Sequence, residues 1–299
     1  MKKDELITKL AAAGYVANDR IAYTVLNAMA LSAPVLLEGE PGVGKTKLAA
    51  AVAEALGLPL IRVQFYEGIA NRDIMYEYDY ARQMLTTVAL QNTLAGTSGT
   101  SLKEAARRIK DEVDIYDESF LIERPLLRAI SGRGRCVLLL DEIDKAAEET
   151  EYSLLELLSD YSMSIPELGR TVTCPPDQIP IVFLTSNNTR ELSDALRRRC
   201  LYLYMPEKTI EELSDIIRMK ANVGEDFARA VAAQIMLVRE LDMKQKPSVS
   251  EGIAWARVLS EAYGDGRKLA DADLSDYAGI IAKTKGDVDT VTQYYSQKA

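Results

Sequence analysis

The chain contains no histidine. That absence removes every mechanism that needs an imidazole base, an imidazole metal ligand or a histidine pH switch. Cysteine is scarce: Cys136, Cys174 and Cys200 lie far apart with no paired spacing. No disulfide framework or thiolate metal site follows from them, and a reducing compartment fits best. No apolar run approaches the length of a membrane span, and the opening MKKDELITKLAAAG has no apolar stretch of signal-peptide length. The sequence therefore predicts a cytoplasmic protein that does not enter a membrane. Positive charge is also short, with 36 Lys and Arg against 45 Asp and Glu, a net charge of −9. That argues against a general binder of nucleic acid or anionic membrane, while a local basic patch stays open.

What is present is a soluble composition, 47% hydrophobic and 27% charged over 299 residues, enough for one large domain or two ordinary ones. Short apolar runs alternate with helical spacings up to Pro206. PVLLEG (34–39), LPLIRVQFY (58–66), CVLLLD (136–141), IPIVFLTSN (179–187) and CLYLYM (200–205) read as buried strands. DRIAYTVLNAMALS (19–32), KTKLAAAVAEALG (45–57) and EYSLLELLSDY (151–161) read as helices. Strands alternating with helices predict a parallel sheet covered on both faces. YEYDYARQMLTTVAL (76–90) alternates enough to suggest an irregular hairpin, TLAGTSGTS (93–101) reads as a loop, and Ser101 with Glu104 forms a capping box. After Pro206 the pattern is helical only, with capping boxes at Thr209/Glu212 and Ser248/Glu251. A boundary is expected there, giving an α/β part over 1–206 and a helical part over 207–299. Trp255, the single tryptophan, reads as core on one of these helices.

GEPGVGKT, Gly39 to Thr46, fits G-x-x-x-x-G-K-[ST] between a strand and a helix. Glycines let backbone N–H groups wrap phosphate oxygens, and the following helix adds its positive end. The nucleotide-binding candidates are Gly39, Glu40, Pro41, Gly42, Val43, Gly44, Lys45, Thr46 and Lys47, with Lys45 on the β- and γ-phosphates and Thr46 on Mg²⁺. Asp141 ends a buried strand, where open α/β sheets bind ligands, and suits the same metal. Glu142 follows as a candidate base for water. An acidic pair after a strand is often only a polar loop, but its pairing with 39–46 favours the site. Asn187 ends the next strand and either orients the water or is a turn asparagine. Arg197, Arg198 and Arg199 lead into the fifth strand. They either complement a helix end or reach a neighbouring molecule's nucleotide.

Together these motifs resemble the AAA+ ATPases. LIRVQFYEGIANRDIMYEYDYARQML, FLIERPLLRAI, LLSDYSMSIPELGRTVTCPP, TRELSDALRRRCLY and KPSVSEGIAWARVL resemble, more finely, the MoxR family and its CoxD-like branch. The resemblance implies a three-layer αβα P-loop core with a five-stranded parallel sheet ordered 5-1-4-3-2, and a small helical lid with ATP between them. It implies a helix-two insert near 75–90, a pre-sensor hairpin near 162–176 and a ring hexamer. A neighbour's arginine finger completes each site, with Arg199 the best match and Arg198 second. It also implies a chaperone that remodels or activates a protein complex with a von Willebrand factor A domain partner. The chain departs from the wider pattern at Ser250, which stands where many relatives carry a sensor arginine; Arg257 lies two turns on. A nucleic-acid motor is the alternative, disfavoured because the 162–176 hairpin carries one basic residue, Arg170, and little aromatic content. Glu142 and the long span between the two nucleotide motifs count against a small-molecule phosphotransferase, and a non-hydrolysing nucleotide switch stands as a further reading.

Overall fold

The architecture comes from a computed structural model, which describes residues 1–95, 116–264 and 274–297. Nine strands appear among the described residues: β1 (Val35–Glu38), β2 (Leu60–Gln64), β3 (Tyr76–Tyr78), β4 (Leu121–Glu123), β5 (Val137–Asp141), β6 (Ser162–Ile165), β7 (Arg170–Thr173), β8 (Ile181–Ser186) and β9 (Leu201–Tyr204). Five of them form one sheet in the order β2-β5-β8-β1-β9, with every pairing parallel. Numbered within that sheet, the order is the expected 5-1-4-3-2. The inner strands β1, β5 and β8 are buried at every position, whereas the edge strand β2 alternates exposed and buried. A strand covered on both faces has no use for alternation, which is why these three read as unbroken apolar runs.

The side-chain period of two splits the sheet into two cores. Leu36, Leu138, Leu140, Val182 and Leu184 face one cluster, and Val35, Leu37, Val137, Leu139 and Phe183 face the other. Helices α1 (Lys3–Ala12), α2 (Asp19–Leu31) and α3 (Lys45–Leu56) supply Leu6, Val25 and Leu48 to the second face. Short α4 (Asn71–Ile74), α5 (Tyr80–Ala95), α6 (Pro125–Ile130) and α7 (Glu148–Asp160) follow, with Ile74, Leu126 and Leu154 packing on the first face. Each fully buried aliphatic side chain is worth about 1.5–3 kcal/mol.

The hairpin expected over 76–90 is not there. Only Tyr76–Tyr78 is strand, and its antiparallel partner is β4, with Tyr76 opposite Glu123. From Tyr80 the chain is helical to Ala95, which also overrides the loop reading of 93–95. Ala, Gln, Met and Leu favour helix, and the apparent alternation arose from side chains that stay exposed, among them Met84 and Leu85. The Ser101/Glu104 capping box lies outside the described residues. The 162–176 hairpin does form, with β6 and β7 antiparallel and Ser162 opposite Thr173.

Beyond β9 the described residues are helical. The single turn α8 (Asp194–Arg197) precedes β9, and after it come α9 (Ile210–Ala221), α10 (Glu225–Arg239), α11 (Val249–Tyr263), α12 (Ala278–Ile281) and α13 (Lys285–Ser296). Thr209 and Ser248 open α9 and α11 through the capping boxes read from the sequence. A third core joins these helices around Ile217, Val231, Ile235, Leu259, Val291 and the fully buried Trp255. Among the described residues no helix is long and apolar enough to cross a membrane.

Trp255 is the chain's single tryptophan, so its emission reports the helical part alone. Ile235→Ala should lower that part's stability by about 2–5 kcal/mol, read as a fall in the urea midpoint of Trp255 fluorescence. An unchanged midpoint would refute the packing described.

Candidate functional site

The C-terminal ends of β1, β5 and β8 lie side by side, with Glu38 opposite Ser186 and Leu140 opposite Leu184. That register gathers Gly39–Thr46, Asp141–Glu142 and Asn187 at one edge of the sheet. Between β1 and α3 the backbone turns through left-handed conformations at Gly42 (φ +83°) and Gly44 (φ +104°). Gly44 is the N-cap of α3, and no side chain caps that helix. The first-turn N–H groups are therefore available to an anion. Gly42 faces a second restriction. A Cβ there would lie 2.6 Å from the Cβ of Ser248, the N-cap of α11.

Lys45 is buried and donates to the loop's own carbonyls, Gly39 O at 2.6 Å and Glu40 O at 2.9 Å. Burial lowers its pKa, opposed by the nearby carboxylates Asp144, Glu40, Asp141 and Glu142. Thr46 donates from Oγ1 to Asp141 Oδ1 at 2.8 Å. The same carboxylate oxygen accepts from Thr185 Oγ1 at 2.6 Å, and Arg62 donates to Oδ2 through Nε at 3.0 Å and Nη2 at 2.6 Å. Asp141 is 2% exposed. A carboxylate so buried needs this density of donors to satisfy its oxygens.

Glu142 sits in a left-handed conformation (φ +58°) just past β5. Its N–H donates to Thr185 Oγ1 at 2.8 Å. Its carboxylate is tied at Oε2 by Gln64 Nε2 at 2.8 Å and Lys145 Nζ at 2.6 Å. That bond raises the Lys145 pKa. Asn187 is half-buried, and its N–H reaches Asp144 Oδ2 at 3.2 Å; Thr189 bonds the same oxygen through N and Oγ1.

The three arginines separate into three environments. Arg197 reaches back to Glu38 Oε1 at 2.6 Å. Arg199 bonds Ser159 Oγ on α7 and the Ala195 carbonyl at 2.8 Å. Arg198 is exposed, and its side chain makes no hydrogen bond or ion pair with the described residues. Leu201 N bonds Pro34 O, so Arg198 and Arg199 enter β9 beside the start of β1, at the opposite edge from the phosphate-type loop. Neither joins the loop of its own chain. Cys200 beside them is inert, since burial pushes its thiol up to about 12 against the pull of Arg197 and Arg199.

Residues 34–200, from the entry to β1 as far as the arginines, match the AAA domain, dynein-related subfamily. The chain belongs to this family. It is 22% identical over 255 residues to Replication factor C subunit 1 of Oryza sativa subsp. japonica, covering 82% of this chain and 21% of that protein. It is 30% identical over 157 residues to midasin of Dictyostelium discoideum, covering 52% of this chain and 2% of midasin. The chain thus spans only a small part of these two relatives. A solved structure of a proline-to-glycine mutant of RuvB from Thermotoga maritima aligns over 98% of this chain and 70% of its own, at 15% identity and TM-score 0.46.

Several polar groups of this AAA domain escape a reading of the sequence. Arg62 and Gln64 look like ordinary outward residues of an edge strand until β2 pairs with β5 and sets Gln64 opposite Asp141. Thr185 is one hydroxyl inside an apolar run. Buried Glu151 accepts from Arg190 Nη2 and from Ser193 N at 2.9 Å, fixing the entry to α8. Thr185→Val preserves shape but strips a donor from Asp141 and the acceptor from Glu142 N–H. It should cost about 1–3 kcal/mol in chemical denaturation with the circular dichroism unchanged; no loss would remove Thr185 from the network.

Proposed function

We propose that the chain is an ATP-hydrolysing MoxR-type AAA+ protein of the CoxD-like branch. In this reading it works in the cytoplasm as a hexameric ring that remodels or activates a protein complex with a von Willebrand factor A domain partner. The observation that carries the ATPase reading is the Thr46–Asp141 hydrogen bond. It joins the first turn after the phosphate loop to the acidic end of β5, with Glu142 next in the chain. The finer assignment is supported by the quoted sequence segments and by the hairpin before β8.

In this reading residues 1–206 bind the nucleotide and 207–299 form the lid. The N–H groups of Gly39–Lys47 and the ammonium of Lys45 take the phosphates, and Lys45 exchanges carbonyl partners for phosphate oxygens. The Thr46 hydroxyl and Asp141 carboxylate are adjacent hard oxygen donors that suit Mg²⁺, which when bound would neutralise charge on the β- and γ-phosphates. Glu142 polarises the attacking water once its carboxylate leaves Gln64 and Lys145, and Asn187 orients that water. Arg199, or Arg198 as second choice, supplies transition-state charge to the next subunit's site. Its place at the far edge of its own sheet suits such a role. A finger of this kind is worth roughly 10³–10⁵ in rate.

The name of the rice relative, a replication factor subunit, keeps a nucleic-acid role in view. Against it, Arg170, the one basic residue of the 162–176 hairpin, is paired with Glu118. ATPase stimulation by single-stranded DNA that falls with salt would reverse this preference.

Lys45→Ala should abolish nucleotide binding, and Glu142→Gln should retain binding while hydrolysis stalls. Arg199→Ala should bind ATP and hydrolyse it poorly. Mixing Arg199→Ala with Lys45→Ala subunits should restore part of the phosphate release, because mixed interfaces rebuild intact sites. No recovery in rings shown to be mixed would reject action between subunits. A pull-down with Glu142→Gln that never retains a von Willebrand factor A domain protein would reject the partner.

A further inference from the structure

Arg62 shares the outward face of the edge strand β2 with Leu60 and Gln64. An outward residue of an edge strand ordinarily points to water. Arg62 turns instead to a buried partner: its side chain is half exposed, whereas that of Asp141 is 2% exposed. The register explains the reach. Arg62 stands opposite Leu139 and Gln64 opposite Asp141, so the guanidinium extends along one face of the sheet towards the end of β5. Its Nε at 3.0 Å and Nη2 at 2.6 Å both donate to Asp141 Oδ2, and Nη2 also donates to Gln64 Oε1.

A carboxylate offers about four acceptor sites over its two oxygens. Thr46 and Thr185 use those of Asp141 Oδ1, and Arg62 uses those of Oδ2. To take a cation directly, Asp141 must give up one of these bonds. Glu142 is engaged as well, by Gln64 and Lys145. Charges are matched in the same way, since Arg62 forms an ion pair with Asp141 and Lys145 with Glu142. A divalent cation gains little from acids whose charge a neighbour already offsets. Among the described residues no three acidic, cysteine or histidine side chains gather to hold a metal ion. The hard oxygens that a cation needs beside Thr46 must therefore come largely from phosphates.

We propose that Arg62 is a positioning residue that makes metal binding conditional on nucleotide. It holds Asp141 by Oδ2 and offsets its charge, so the protein alone is a poor ligand for Mg²⁺, while protein and phosphates together are a good one. It also keeps Oδ1 turned to Thr46. The Thr46 hydroxyl gives its proton to that oxygen and keeps its lone pairs for a cation. This rests on the ATP-binding reading above.

Equilibrium dialysis of the full chain against Mn²⁺, without nucleotide and with a non-hydrolysable ATP analogue, tests this. Wild type should retain Mn²⁺ only with the analogue. Arg62→Met should bind Mn²⁺ without nucleotide about tenfold more tightly than wild type, and adding Asp141→Asn should cancel the gain. Arg62→Lys returns the charge and one donor, and should restore the nucleotide requirement. Circular dichroism checks the fold, and Arg62→Gln replaces Arg62→Met if the latter is unfolded. An Arg62→Met chain that holds Mn²⁺ no better than wild type overturns the proposal, and so does a gain that Arg62→Lys shows in full. Wild type that retains Mn²⁺ equally with and without the analogue, or retains the analogue but no Mn²⁺, overturns it too. A wild-type chain that retains neither analogue nor Mn²⁺ sinks the ATP reading itself, a separate result.

Discussion

Asp141 carries its carboxyl group into a place nearly closed to water, and the neighbouring architecture is arranged around satisfying it there. A carboxylate at such depth left without hydrogen-bond partners would be costly to the fold. Four side-chain hydrogen bonds prevent this, and they come from three different elements: Thr46 on α3, Arg62 on β2 and Thr185 on β8. Each donor is correctly aimed only if its element sits in the observed register. The pairing of β2, β5 and β8, and the seating of α3 after the glycine loop, are thus conditions for one buried carboxylate to find its partners. A site that needs an acid beside a phosphate loop obtains both from that constraint.

Two further buried acids extend the arrangement outward. Asp144 collects the N–H groups of Asn187 and Thr189, and Glu151 collects Arg190 and the N–H of Ser193. The chain between β8 and α8 is therefore held from beneath by side chains that follow β5. The acidic stretch and the arginine-bearing turn are far apart in sequence, yet they share a support of charge-assisted hydrogen bonds. A displacement of Glu142 and its neighbours would be passed on to the residues that carry Arg197 to Arg199.

The parts legible in the sequence were those whose cause is local. An apolar run between turn residues is a buried strand wherever it lies. Gly39 to Thr46 announces its own conformation, and Thr209 and Ser248 their own helices. What stayed hidden depends on partners brought from a distance. β3 pairs with β4 across more than forty residues, so the alternation over 76–90 suggests a local hairpin that does not form. Arg62, Gln64 and Lys145 acquire meaning only when the sheet sets them beside Asp141 and Glu142. Three consecutive arginines cannot reveal that one binds Glu38, one binds Ser159 and one stands free.

Gly42 meets Ser248 with no side chain on the loop's side of the contact. Most surfaces within a protein meet through flexible groups that can bend when one element moves. Here a main chain rests against the first carbon of a residue that is itself clamped by its capping box. Such a contact leaves no room for a side chain on the loop. A side chain at position 42 would have to displace either the loop or the start of α11. The rigidity that glycine is usually said to relieve is here what glycine makes possible, a bearing stiff enough to carry motion between two parts of one chain.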